Sequence, residues 1–139
     1  MNQRADIWNI LHDGEIAEIN RKSTHHIQLR IYIPYLGNMF PEVGENIWVD
    51  LHNTKKFEMK IWDEDITTSD FDKIVSTGTE ILSTESTDVP VHVVSTLGDL
   101  FIDFESYSLS LDSGKQITFD ELVDGCSRYW KNWEETYKK

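Results

Sequence analysis

The stretch HIQLRIYI, residues 26–33, decides the fold class of this chain. Its apolar side chains stand at every second position, at Ile27, Leu29, Ile31 and Ile33. Successive side chains of a β-strand point to opposite faces of a sheet, so this spacing predicts a strand with one buried face. Pro34 has no backbone N–H to donate, and it therefore predicts the end of the strand or an edge position.

The same period of two recurs along most of the chain. Strands are predicted at residues 15–20, 46–52, 56–62, 80–84, 90–94 and 100–111. The first of these is the least regular, because Ile16 and Ile19 stand three positions apart. The polar stretch HNTKK, residues 52–56, predicts a hairpin between the strands on either side of it. Within 100–111 the apolar positions change phase, so a β-bulge or a break is expected near Glu105 and Ser106.

The C-terminal segment changes to helical spacing. The apolar residues that recur on one face of the predicted helix are Phe119, Leu122, Val123, Cys126, Trp130, Trp133 and Tyr137. Thr118 and Glu121 have the spacing of a capping box, which predicts the start of the helix. Gly125 indicates close packing of the helix against the sheet. We expect the apolar stripe to be buried there.

These patterns predict one domain over residues 1–139 and an α+β fold. The expected architecture is a curved, mainly antiparallel β-sheet or half-barrel with a C-terminal α-helix packed on it. A β-sandwich with the helix at one end is the alternative. At 139 residues the chain is long enough to bury a single hydrophobic core.

The charge balance narrows the classes of partner. Thirteen basic residues stand against 25 acidic ones, which gives a formal net charge of −12. Such a charge repels phosphate backbones and anionic lipid, so the expected partner is a basic protein, with no nucleic acid and no membrane. The same charge is also typical of proteins in which it serves solubility alone. The chain has no secretory signal pattern and no bilayer-spanning apolar run, and we expect a cytoplasmic protein.

The stretch LHDG, residues 11–14, raises the question of a catalytic His–Asp pair. Asp13 and Gly14 both accept positive φ and directly precede a predicted strand, so a turn is expected instead. His25 and His26 are adjacent in the chain and point to opposite faces of a strand, a poor geometry for a shared metal. Whether His12, His52 and a carboxylate converge into a site stays open.

Recognised catalytic and cofactor-binding motifs are missing from the sequence. There is no GxSxG elbow, no phosphate-binding glycine loop and no dinucleotide fingerprint. Cys126 is the only cysteine, so neither an internal disulfide nor a thiolate metal cage can form. We therefore expect no enzymatic activity, no cofactor and no metal.

The segment DEDITTSDFDKIVSTG, residues 63–78, predicts a long acidic loop with one helical turn. It holds the densest group of carboxylates, at Asp63, Glu64, Asp65, Asp70 and Asp72. Such a group either is simply solvated or docks lysines and arginines of a partner. Trp48 and Trp62 alternate opposite to their apolar neighbours, and exposed tryptophan beside acidic residues is typical of a protein interface. We predict these seven residues as the partner-binding site.

The segments WNILHDGEI, IPYLGNMF, WVDLHN and KFEMKIW resemble small uncharacterised bacterial proteins. Those proteins begin with a Leu-His-Asp-Gly turn and place Pro-Tyr-Leu after the second strand. Some small acidic proteins of this kind are immunity proteins, which neutralise a toxin. The resemblance covers about the first half of the chain, rests on turn and strand features, and implies no catalytic residue.

The leading hypothesis is a non-catalytic binding protein, most concretely an immunity protein that occludes the active site of a basic toxin such as a nuclease. The second hypothesis is a small-molecule binder or enzyme with a pocket in the curved sheet. A third is a structural subunit that forms a homodimer through a sheet edge or through the aromatic helix.

Overall fold

Ten strands and four helices make up the described part of the chain in a computed structural model. The structure describes residues 3–41, 44–76, 78–85 and 88–137. In chain order the elements are α1 (Gln3–Ile10), β1 (Glu15–Ser23), β2 (His26–Tyr32), α2 (Pro34–Gly37), β3 (Asn46–His52), β4 (Lys56–Ile61), β5 (Ile66–Thr68), α3 (Phe71–Val75), β6 (Ile81–Thr84), β7 (Val91–Ser95), β8 (Gly98–Asp103), β9 (Ser106–Leu111), β10 (Gln116–Ile117) and α4 (Phe119–Tyr137).

The strands form two antiparallel sheets. The order is β1-β2-β3-β9-β10 in the first sheet and β5-β4-β8-β7-β6 in the second, and both sheets are open. The predicted α+β class, with antiparallel strand pairing and a C-terminal helix, is confirmed, and the strands are divided between two sheets. Inward-facing residues of both sheets contribute to one hydrophobic core. Alternation in β2 places Ile27, Leu29 and Ile31 in that core, as predicted.

The predicted hairpin between the third and fourth strands is wrong. β3 pairs with β2 and β9, whereas β4 pairs with β5 and β8, so residues 53–55 carry the chain from the first sheet to the second. Residues 104–105 carry it back directly alongside. The backbone N–H of Lys55 donates to the carbonyl of Asp103 over 2.7 Å, and that of Glu105 donates to His52 over 3.0 Å. We call this double crossing the corner.

The corner explains the change of phase in the last predicted strand. A break was expected near Glu105 and Ser106, and β8 does end just before them, with β9 beginning at Ser106. Because the chain changes sheets here, the positions that face the core in β9 need not continue the alternation of β8. The irregular first strand has a different cause. The register of β1 on β2 shifts between Ile16 and Glu18, and this β-bulge brings both Ile16 and Ile19 to the buried face.

Helix α4 begins as the sequence predicts. The N–H of Glu121 donates to Thr118 Oγ1 over 3.1 Å, and the N–H of Thr118 donates to Glu121 Oε1 over 3.0 Å, which is the capping box. The helix packs chiefly on α1 and α2. Gly125 accordingly lies against Phe40, just after α2, because a Cβ there would stand 3.3 Å from the Phe40 ring. The close packing indicated by Gly125 is present, but against this loop and α2 rather than against the sheet.

The apolar stripe of α4 is covered only along its first half. Leu122 is fully buried, whereas Trp130 and Trp133 expose 38% and 46% of their surface. The expectation that the whole stripe is buried is wrong for these two residues. The rings of His12 and Tyr35 cover Trp130 only in part, and the Trp133 ring meets that of Trp130 edge-on. The side chain of Tyr137 lies outside the described part of the chain.

Helix α1 was not predicted from the sequence. Its residues Ala5, Ile7 and Trp8, with Leu11 just beyond it, are buried. It packs against β6 and α4, and so fills the space between the second sheet and the C-terminal helix.

Candidate functional site

Most of the predicted partner-binding residues lie on one arm at the edge of the second sheet. We call residues 62–72 the acidic arm. Ile61 pairs with Ile66, so the arm begins with a four-residue turn between β4 and β5. Asp65 takes a positive φ of 50° in this turn, a conformation that aspartate accepts more readily than most residues. The side chains of Asp63, Glu64 and Asp65 are all exposed.

The second half of the acidic arm holds the start of α3. Asp70 caps this helix, because its carboxylate accepts the N–H groups of Asp72 and Lys73 over 3.1 and 3.4 Å. Lys73 Nζ in turn lies 2.8 Å from Glu64 Oε1 and ties the turn to the helix. Among the residues that the structure describes, the carboxylates of Asp63, Asp65 and Asp72 make no hydrogen bond or ion pair. These three are therefore available to a partner.

Trp62 is exposed yet held in one position. It exposes 48% of its surface, and its indole N–H donates to Asp99 Oδ2 over 2.8 Å. The other oxygen of Asp99 lies 2.7 Å from His92 Nε2, and the His92 ring stacks on Phe101 with centroids 4.7 Å apart. The hydrogen bonds from His92 and Trp62 hold the pKa of Asp99 below its ordinary value. A chain of contacts across the outer face of the second sheet thus fixes the indole ring.

Trp48 does not belong to the same surface. It is half-buried on the outer face of the first sheet, and its indole N–H donates to Asp112 Oδ1 over 2.8 Å. Asp112 also accepts the backbone N–H groups of Glu45 and Asn46. Partial burial raises the pKa of Asp112, but these hydrogen bonds outweigh it and hold the pKa below its ordinary value. The structure therefore brings six of the seven predicted residues together on the acidic arm and leaves Trp48 on the other sheet.

The LHDG stretch forms the predicted turn. Asp13 has a φ of 69°, and His12 Nδ1 lies 2.7 Å from the carbonyl of Asn9. The His12 ring stacks on Trp130 with centroids 5.9 Å apart, and Tyr35 donates its hydroxyl to the His12 carbonyl. These contacts make the stretch a structural junction between α1, β1 and α4.

His12 and His52 have separate surroundings. His52 lies on the outer face of the first sheet, 3.1 Å from Ser108 Oγ, with its ring 4.9 Å from that of His26. His26 Nε2 in turn lies 2.7 Å from Asp50 Oδ1. Within the described ranges, no group of three His, Cys, Asp or Glu side chains is placed to hold a metal ion.

Cys126 is half-buried on α4. Burial raises the pKa of its thiol, which disfavours the thiolate. A packing role is the simplest account of this residue.

Sequence reasoning missed a group of basic side chains at the corner. Arg21, His25, Lys55 and Lys56 line a cleft of about 500 Å³ between the β1–β2 turn and the start of β4. The signal in the sequence was two basic pairs, Arg21-Lys22 and Lys55-Lys56, each beside a predicted connection. Because β2 and β3 are antiparallel neighbours, the start of β2 and the end of β3 meet at one end of the first sheet. Arg21 of the first pair therefore lines the cleft together with Lys55 and Lys56, whereas Lys22 lies outside it.

Comparison of the chain with protein-family models, with curated proteins and with solved structures finds no match. In the part of the chain that the structure describes, none of the helices combines the length and the apolar character needed to cross a bilayer.

Proposed function

We propose that this chain is a non-catalytic binding protein whose acidic arm docks on a basic protein surface. The observation that carries the proposal is the position of Trp62, an exposed aromatic ring fixed by Asp99. It stands next to the carboxylates of Asp63 and Asp65, which pair with none of the residues that the structure describes.

This arrangement has the features of an interface anchor. Tryptophan is enriched among the residues that dominate binding energy, and a ring already held in place loses little conformational freedom when a partner covers it. The neighbouring carboxylates of Asp63 and Asp65 would speed association with a basic surface and select against acidic ones.

The more specific form of the proposal is an immunity protein. In it, the acidic arm occupies the basic active-site cleft of a toxin, such as a nuclease, in the cytoplasm. The carboxylates stand where the phosphates of the substrate would bind, so the toxin is blocked without any chemistry by this chain. The support for this form is the resemblance of the N-terminal half to small bacterial proteins, together with the net charge of −12.

The test is capture of partners from the native lysate by the tagged full-length chain and by three variants. Asp63→Lys/Asp65→Lys reverses charge on the arm, and Trp62→Ala removes the anchor. Glu134→Lys/Glu135→Lys is the matched control, because it changes the net charge by the same amount at exposed positions of α4.

We expect wild type and the α4 control to retain the same basic protein at low salt and to release it at high salt. The arm reversal should retain none of it, and Trp62→Ala should weaken its affinity at least about tenfold, as loss of a central anchor does. A partner that binds the arm reversal as tightly as wild type would contradict the proposal. Capture of this chain's own copies alone would contradict it too, and would favour the homodimer.

A further inference from the structure

The cleft at the corner concentrates positive charge in an acidic protein. Arg21, Lys55 and Lys56 line it, with His25 at the β1–β2 turn, whereas Glu58 is its only carboxylate among the described lining residues. Two loops form its walls, and the backbone N–H of Thr54 joins them by donating to the His25 carbonyl over 2.8 Å. Its volume of about 500 Å³ lies within the range of small-molecule sites.

The cations of the cleft are only partly neutralised. Lys56 Nζ lies 3.6 Å from Glu58 Oε1, and both side chains are well exposed, so this pair is weak. Lys55 makes no ion pair with any described residue. Asp70 and Asp72 line a neighbouring depression that shares Arg21 and Ser69 with the cleft.

Arg21 is held in place without using up its hydrogen-bonding capacity. Its guanidinium lies 5.3 Å from the centroid of the Phe71 ring, a cation–π contact, and its Nη1 donates to the Thr24 carbonyl over 3.1 Å. A guanidinium has five N–H groups, so most of them remain for a ligand. Arginine fixed in this way suits the bidentate recognition of an oxyanion.

We infer that this cleft binds a small organic phosphate. Arg21 and the two lysines would hold the phosphate. Because Glu58 offsets one of these three cations, the remaining positive charge matches a phosphate dianion better than it matches a monoanion. Hydroxyl groups of Thr24 and Ser69 line the same cleft and can donate to the remaining oxygens. Ile27 and Phe57 form an apolar floor for the organic part of the ligand. The inference does not depend on the acidic arm binding a protein.

The test is an NMR titration of the full chain with phenyl phosphate, inorganic phosphate and citrate. Arg21→Gln and Lys55→Gln/Lys56→Gln remove the proposed ligands of the phosphate. Lys22→Gln and Lys115→Gln are matched controls, since each removes one positive charge from outside the cleft. The lysine variants alter exposed side chains, so they keep the test decisive even if Arg21→Gln unfolds the chain.

We expect phenyl phosphate to shift the amide signals of Thr24, Lys55, Lys56 and Ser69 and to bind more tightly than inorganic phosphate or citrate. Each cleft variant should weaken binding about tenfold or more, and each control by less than about twofold, because a charge-assisted hydrogen bond is far stronger than a screened distant charge. Asp72→Asn should strengthen binding, since it removes a negative charge beside Arg21.

Three results would overturn the inference. The first is the absence of shifts at these amides with millimolar phenyl phosphate. The second is equal affinity in wild type and Lys55→Gln/Lys56→Gln. The third is citrate binding more tightly than phenyl phosphate, because the site would then lack the phosphate recognition assigned to it.

Discussion

The acidic arm and the basic cleft meet at Arg21, Ser69 and the start of α3, yet the chain builds them in different ways. The arm is one continuous segment, and its fixed carboxylates pair with groups in the segment or directly after it, as Asp70 does with the N–H groups of Asp72 and Lys73. The cleft is assembled from two loops that are distant in the chain and joined by a backbone hydrogen bond between Thr54 and His25.

The net charge of the chain does not give the sign of the charge at every site. The value of −12 is a sum over the whole chain, and the acidic arm has the same sign as that sum. The cleft has the opposite sign because the antiparallel pairing of β2 and β3 collects basic residues at one end of a sheet. A protein that repels anions at long range can still bind one at short range, since a local cluster dominates within a Debye length of about 8–10 Å.

The largest expected loss of stability comes from the aromatic pair of Phe57 and Phe71, which packs between the acidic arm and the cleft. Phe57 of β4 is buried, and its ring meets Phe71 of α3 edge-on with centroids 5.3 Å apart. Phe57→Ala should lower the free energy of unfolding by about 3 kcal/mol, because it leaves a cavity in the core. Urea denaturation followed by tryptophan fluorescence measures this. Ile66→Ala, at an exposed position of the arm, should change the free energy of unfolding by less than about 0.5 kcal/mol. Equal losses in the two variants would contradict the assignment of Phe57, and not Ile66, to the core that supports the arm.

Next in size is the loss of Asp99, which fixes Trp62. Asp99→Ala should cost about 1.5 kcal/mol at neutral pH, since it removes two hydrogen bonds to a charged group. The pKa of Asp99 is lowered in the folded chain, so its contribution is present above about pH 4, the ordinary range for aspartate, and is lost as the pH falls through the folded pKa.

The stability difference between wild type and Asp99→Ala should therefore shrink in acid. Asp103→Ala is the control, because it removes the same charge from β8 while its side chain makes no hydrogen bond with a described residue. A difference that stays constant from neutral pH to pH 3 would mean that the carboxylate is not favoured by its partners.

A smaller effect distinguishes the carboxylates within the arm. Asp70→Ala should lower stability by about 1 kcal/mol, because it removes the cap of α3. Asp72→Ala should cost only a few tenths, through the helix dipole. Hydrogen exchange of the amides in 71–75 reports the same contrast locally. If both substitutions had the same cost, the assignment of Asp70 to structure and Asp72 to binding would fail.

The smallest effect is expected for the ion pair between Glu64 and Lys73. Both side chains are well exposed, so the coupling energy should stay below about 0.5 kcal/mol and fall with salt. A double-mutant cycle with Glu64→Gln and Lys73→Gln measures it. A coupling above 1 kcal/mol would indicate that the ion pair between Glu64 and Lys73, rather than the hydrogen bond from Trp62 to Asp99, holds the arm in place.

The sequence predicts most of the strands because their alternation is a local property, and it misses the short strands β5 and β10, of which β5 lies in the predicted acidic loop. It does not predict the corner, since a connection as short as residues 53–55 fits a hairpin as readily as a move to another sheet. Helix α1 was not predicted for a related reason. Its sequence QRADIWNI has no clear apolar stripe, and its burial comes from β6 and α4, which pack around it.

The candidate sites follow the same division. The acidic arm could be predicted because its carboxylates are neighbours in the chain. Trp48 has the same alternation as Trp62, and only the assignment of β3 and β4 to different sheets separates them. The cleft requires knowledge of which strand ends meet, which the hydrophobic pattern alone does not supply.

The corner also bears on how fast this protein folds. It joins β3–β4 to β8–β9 as one bent ribbon, in which Ile47 faces Leu111 and Lys56 faces Asp103. The ribbon forms only when segments roughly 45 to 65 residues apart have met, and closing such loops costs entropy before their contacts contribute. Both sheets are completed by this single encounter, because it pairs β3 with β9 in one sheet and β4 with β8 in the other. We therefore expect folding in the millisecond-to-second range typical of chains with non-local β pairing, with the two sheets completed together rather than in sequence.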